Sequence, residues 1–174
     1  MNTPAQVCEA LRERLLALRD PATGVWTGEL ASSALSTALA AAALGEGGEA
    51  DRRLASAGAA WLAARANADG GWGDTPESPS NLSTTLLAAA ALRRVAGREP
   101  QVAPVLDRAD VWLGSRLGGP AEPERVARAL AEVYGADRTF AAPILAFLAL
   151  CAGGEAAWRR VPPLPFLLAL LPQR

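Results

Sequence analysis

The chain repeats itself. Leu15-Leu16-Ala17-Leu18-Arg19 leads through Asp20-Pro21-Ala22-Thr23-Gly24-Val25-Trp26-Thr27-Gly28 to Leu35-Ser36-Thr37-Ala38-Leu39 and an alanine run ending at Leu44. Trp61-Leu62-Ala63-Ala64-Arg65 leads through Asn67-Ala68-Asp69-Gly70-Gly71-Trp72-Gly73 to Leu82-Ser83-Thr84-Thr85-Leu86 and an alanine run ending at Leu92. The shared order and a period close to 46 residues predict stacked helical hairpins, because one hairpin cannot bury its apolar face without a neighbour.

Each unit reads as an amphipathic helix, a turn rich in Asp and Gly, a tryptophan, and a second helix with almost no hydrophilic face. Glycines accept the positive φ that ends a helix, and Ser and Thr near the second helix's start offer oxygens to its free N–H groups. The helices Leu35 to Leu44 and Leu82 to Leu92 therefore belong inside, and the arginine-bearing helices form the outer ring. A third, degenerate unit follows. Asp107 to Leu117 is outer in type, Gly118-Gly119-Pro120 has no tryptophan after it, and Glu122 to Tyr134 is amphipathic. Thr139 to Cys151 restores the inner type, with Pro143 expected in its first turn, where a missing N–H costs little. The predicted fold is all-α: antiparallel hairpins forming a partial α/α-toroid, an open arc, over residues 1–174 as one helical-repeat domain. Its units are about 4–50, 51–100 and 101–154, with an apolar segment at 155–174.

Composition narrows the chemistry. Hydrophobic residues make up 51% of the chain and aromatic residues 5%, the apolar part being mostly Ala and Leu, which favours helices and a substantial core. All 17 basic residues are arginine, scattered as singles and pairs around a net charge of −1, so no nucleic-acid stripe stands out. There is no histidine, which removes the commonest general base, the commonest metal ligand and every Ser-His or Cys-His pair. Cys8 and Cys151 fall within helical patterns and read as buried, reduced thiols, in keeping with a cytoplasmic protein. Thr3-Pro4-Ala5-Gln6 reads as a capping box opening a helix rather than a signal peptide. The longest apolar run, Ala141 to Ala152, is too short for the ~20 residues of a spanning helix.

The residues resemble a family. The segments ending Gly24-Val25-Trp26 and Gly70-Gly71-Trp72 resemble the QW repeats of squalene-hopene cyclases, the class II terpene cyclases. Trp26-Thr27-Gly28-Glu29-Leu30 is similar to the opening of those enzymes, Pro79-Ser80-Asn81-Leu82-Ser83-Thr84-Thr85 to their Pro-x-x-Leu-Ser-Thr-Thr stretch, and Trp158 with Val161-Pro162 to a later Trp-x-x-Val-Pro segment. The likeness runs from about residue 10 to 172 and implies the N-terminal region of such a cyclase. Where the family places a glutamine that stacks on tryptophan, this chain has Arg19 and Ala66. A guanidinium can replace that stacking; an alanine cannot, so the second tie is expected to be weaker or to be taken over by Asn67.

The resemblance also implies what the chain lacks. Class II cyclases protonate an alkene or epoxide from an Asp-x-Asp-Asp motif, and no such motif is present; nor is the Asp-Asp-x-x-Asp that holds magnesium in class I synthases. Asp107 with Asp110, and Glu122 with Glu124, read as solvated faces. No catalytic, cofactor-binding or metal-binding residue is expected. Gly24, Trp26, Asp69, Gly70 and Trp72 are expected to serve the repeat structurally, Asp69 and Asp74 as turn and capping groups. Phe147 lies where the resembling cyclases place an aromatic facing the substrate, and core packing is its other reading.

Two functions remain open. One is a scaffold part of a terpene cyclase, as a truncated protein, an excised domain or a half that docks onto a catalytic partner. An isoprenoid substrate is then expected only in the complete enzyme, with peripheral membrane association open to it. The other is a stand-alone α-solenoid binding module. Apolar Leu164 to Leu171 favours the first, since left bare it would be a liability. A protein prenyltransferase β-subunit shares the repeat type, but its zinc site includes a histidine.

Overall fold

The computed structural model describes residues 3–28, 30–97 and 99–162. Glu29 of the cyclase-like opening and the apolar stretch Leu164 to Leu171 lie outside them. Among the described residues there are eight α-helices, one short 3-10 helix and no strand. The chain divides into two compact units, Met1–Ala31 and Ser32–Arg174.

The first unit is helix α1 (Pro4–Ala17) with the turn that follows. Thr3 caps it as the sequence predicts: Gln6 N donates to Thr3 Oγ1 at 3.3 Å, and Thr3 N donates to Gln6 Oε1 at 2.8 Å. Cys8 is exposed rather than buried. A helical apolar period marks a face, but it does not say that anything covers it, and no residue of α1 is buried. After α1, Asp20 Oδ1 accepts from Ala22 N at 2.7 Å and Thr23 N at 3.2 Å, which closes the turn onto Gly24.

The second unit holds α2 (Ala34–Leu44), α3 (Glu49–Ala64), α4 (Leu82–Val95), a 3-10 turn (Pro100–Val102), α5 (Ala103–Leu117), α6 (Pro123–Tyr134), α7 (Arg138–Ala152) and α8 (Glu155–Trp158). Helix α4 packs against α2, α3, α5 and α7. It is buried continuously from Ser83 to Leu92, as its lack of charge before Arg93 requires. Helices α2 and α7 adjoin it but each hides only one side. Ala38 and Ala149 are inside, while Leu39 on α2 and Phe140 and Leu150 on α7 are exposed. The outer helices bury stripes at helical spacing: Ala55, Ala59 and Leu62 on α3, and Val105, Ala109, Trp112 and Leu113 on α5. Fully hiding each of Leu62, Leu92, Leu113 and Leu130 contributes roughly 1.5–3 kcal/mol.

Two local expectations need correction. The caps are Ser33 and Asn81, each accepting from the backbone N–H three residues on, at 3.2 and 2.9 Å. The Ser-Thr-Thr hydroxyls lie within α4: those of Thr84 and Thr85 bind the loop before it, and that of Ser83 meets Tyr134 on α6. Pro143 is the sixth residue of α7, not in its first turn, because the helix starts at Arg138 behind an Asp137 cap. It therefore removes the bond that would run back to the Thr139 carbonyl.

Candidate functional site

The two tryptophan turns share one device. At the end of a helix the last four carbonyls have no partner within it, and an indole N–H supplies one. Trp26 Nε1 donates to Leu15 O at 2.6 Å, and Trp72 Nε1 donates to Leu62 O at 2.9 Å. The environments differ. Trp26 is 47% exposed, with the Arg19 guanidinium 5.8 Å from its ring centroid, while Trp72 is 1% exposed. Arg19 thus stacks on the first indole, and its Nε also donates to Gly24 O at 2.5 Å. At the second turn, among the described residues, no stack on the indole takes the place of Arg19; Asn67 instead ties the turn to the following loop, donating to Ser78 O at 3.1 Å and Ser80 Oγ at 3.0 Å. Thr85 Oγ1 accepts from Trp72 N at 3.0 Å, fastening the turn to α4.

Asp69 is the hub of this turn. It accepts from Ser80 Oγ at 2.7 Å, Gly71 N at 3.1 Å and Trp112 Nε1 at 3.0 Å. These donors, the Ser80 hydroxyl foremost, hold its pKa below the ordinary value and keep it an anion. Asp74 accepts from Asn81 Nδ2 at 2.8 Å and Thr84 Oγ1 at 2.6 Å. Both carboxylates are acceptors within loops. Trp112, on α5, joins a turn 43 residues away. Local periodicity places it on the buried face of α5 and carries no sign of that partner.

A lowered folded pKa stabilises above the unfolded value and loses that contribution as pH falls through the folded one. Asp69→Asn should therefore lower the melting temperature near neutral pH, by at most about 2–4 °C, because Asp69 is exposed and solvent screens its charge. The deficit should shrink as pH falls below the ordinary aspartate range and through the lowered folded value of Asp69. Asp20, Asp137 and Glu124 are lowered too, so the wild-type and variant melting curves must be compared at each pH. A deficit constant down to pH 2 would refute the role given to the charge.

The second unit carries a cavity of about 940 Å³. Its wall takes Leu35 and Leu39 from α2, Leu82, Ser83 and Leu87 from α4, Trp112 and Arg116 from α5, Glu132, Val133 and Tyr134 from α6, and Phe140, Pro143, Ile144 and Phe147 from α7. The structure thus places half-buried Phe147 on this wall, also packed against the core. Trp72 is in the core, and the wall tryptophan is Trp112, with the Arg116 guanidinium 5.0 Å from its ring centroid. Tyr134 stacks on Phe140, ring centroids 5.9 Å apart. Neither aromatic stands out in the sequence, because each lies on a helix whose period gives no hint of a shared concavity. The charged members Asp74, Arg116 and Glu132 are exposed.

The remaining acidic pairs stay on exposed faces. Asp110 pairs with Arg93, Glu122 with Arg125 and Glu124 with Arg160. Cys151 borders a smaller cavity of about 150 Å³, and burial pushes its thiol pKa up. Among the described residues no group of three or more His, Cys, Asp or Glu is placed to hold a metal ion, and no helix is long and apolar enough to cross a membrane.

The model of the family described as "squalene-hopene cyclase N-terminal domain" matches residues 8–174. The chain belongs to that family. The helices of both units, the two tryptophan turns and the aromatic-bearing cavity of the second unit lie within the matched residues, apart from the first residues of α1. Neither the curated proteins nor the solved structures gave a match.

Proposed function

We propose that this domain is the scaffold part of a terpene cyclase of the squalene-hopene type, supplying cavity wall and helix-end ties but no proton donor. The single observation that supports this most is Phe147. It lies on the wall of a cavity of about 940 Å³, on the helix where the family resemblance puts a substrate-facing aromatic. Aromatic faces carry a negative quadrupole that stabilises cations, and wall aliphatics such as Leu87 and Ile144 exclude the water that would quench them. The acid must then come from outside these residues, since the sequence has no Asp-x-Asp-Asp and its best-held carboxylate, Asp69, is kept ionised.

The purified chain should give no cyclic product from squalene, oxidosqualene or a linear isoprenoid diphosphate, as read by mass spectrometry. Product is expected only on mixing with a polypeptide that carries the acid motif, and Phe147→Ala should then cut the yield. Turnover by the chain alone would overturn the scaffold reading.

A further inference from the structure

The cavity wall is largely aliphatic and aromatic; its polar members Asp74, Ser80, Asn81, Arg116 and Glu132 are exposed or half-buried, while Ser83 is buried. Ser83 Oγ, on α4, and Tyr134 OH, on α6, lie 2.7 Å apart and join helices 51 residues apart in sequence. Ser83 is 9% exposed. The stack of Tyr134 on Phe140 fixes the phenol ring, so the hydroxyl is held in place before any ligand arrives.

Two hydroxyls have two protons, and their mutual bond uses one. Among the described residues neither oxygen has a further partner, so one O–H is left to donate at the cavity. Leu82, Leu87, Ile144 and Phe147, on the same wall, carry no side-chain atom that hydrogen-bonds. A hydrocarbon filling this space would strip water from that hydroxyl and return nothing. A ligand oxygen would restore the bond.

We propose that Tyr134 and Ser83 form a polar anchor that makes the cavity prefer an isoprenoid bearing one oxygen, such as an alcohol, over the matching hydrocarbon. This rests on the reading of the cavity as an isoprenoid wall. The anchor is a binding and specificity device, distinct from any acid that starts a cyclisation.

The test is equilibrium binding of farnesol, and of the hydrocarbon lacking its oxygen, to the full chain and to Tyr134→Phe and Ser83→Ala, followed by tryptophan emission. Phenylalanine keeps the stack on Phe140, and circular dichroism with thermal melting confirms that each variant is folded. Tyr134→Phe should weaken farnesol roughly three- to tenfold, the worth of one net hydrogen bond, and leave the hydrocarbon unchanged or tighter. Ser83→Ala should act in the same direction. If Tyr134→Phe changes both affinities equally, or neither, the anchor is refuted while the cavity reading stands. If the wild-type chain binds neither ligand, both fall.

Discussion

Trp72→Ala is expected to lower stability by about 3–5 kcal/mol, the range for truncating a buried large aromatic. At 2–4 °C per kcal/mol for a chain of this size, the melting temperature should fall by about 10 °C or more. Three losses coincide. The indole is 1% exposed, so its removal leaves a cavity in the core of the second unit. Its Nε1 no longer donates to Leu62 O, which leaves a carbonyl at the end of α3 without that partner. The turn that Thr85 and Asn81 grip through the Trp72 backbone then loses the side chain that seats it. Trp26→Ala provides the internal comparison. It removes the same kind of indole-to-carbonyl bond, but from a ring 47% exposed, so about 1 kcal/mol is expected. Thermal melts of both variants decide the matter: equal melting temperatures would show that burial is not what distinguishes the two turns.

How far the fold could be read from the sequence depended on whether the information was local. The helix run, the Gly-Trp turns and the burial of α4 follow from period, glycine placement and the absence of charge before Arg93. The Thr3 cap and the Arg19 stack on Trp26 are local too, and both are found. Pairings across long separations were not legible. Nothing near Asp69 announces Trp112, and nothing near Ser83 announces Tyr134. Burial of an apolar face was half legible: the same reasoning that succeeds for α4 fails for Cys8 on α1. α4 has four helical neighbours, whereas α1 buries none of its residues. The cavity was legible only through Phe147, because a concavity is assembled from five helices and no single period describes it.

Gly70→Ala should be a strongly damaging single-methyl change, at about 2–4 kcal/mol. Two costs add at this position. Gly70 has a φ of +93°, a conformation side chains rarely adopt, which alone costs roughly 1–2 kcal/mol. An added Cβ would also lie 2.7 Å from the Arg108 carbonyl oxygen and 2.9 Å from its carbon. Those atoms belong to the backbone of α5 and cannot rotate aside, so the helix itself must shift. That shift would pull Trp112 Nε1 from Asp69, the next residue before Gly70, and move the cavity wall that Trp112 and Arg116 help to form. Gly24→Ala is the matched control. Its φ is +72°, but the nearest atom to an added Cβ is Arg19 Nη2 at 2.8 Å, the tip of a side chain that can swing away. Only the backbone cost of about 1 kcal/mol is then expected, with some loosening of the Arg19 stack. Melting temperatures of the two variants, read beside tryptophan emission as a report on Trp112, test the difference. Gly70→Ala that melts no earlier than Gly24→Ala, with unchanged emission, would mean that α5 does not press on this turn.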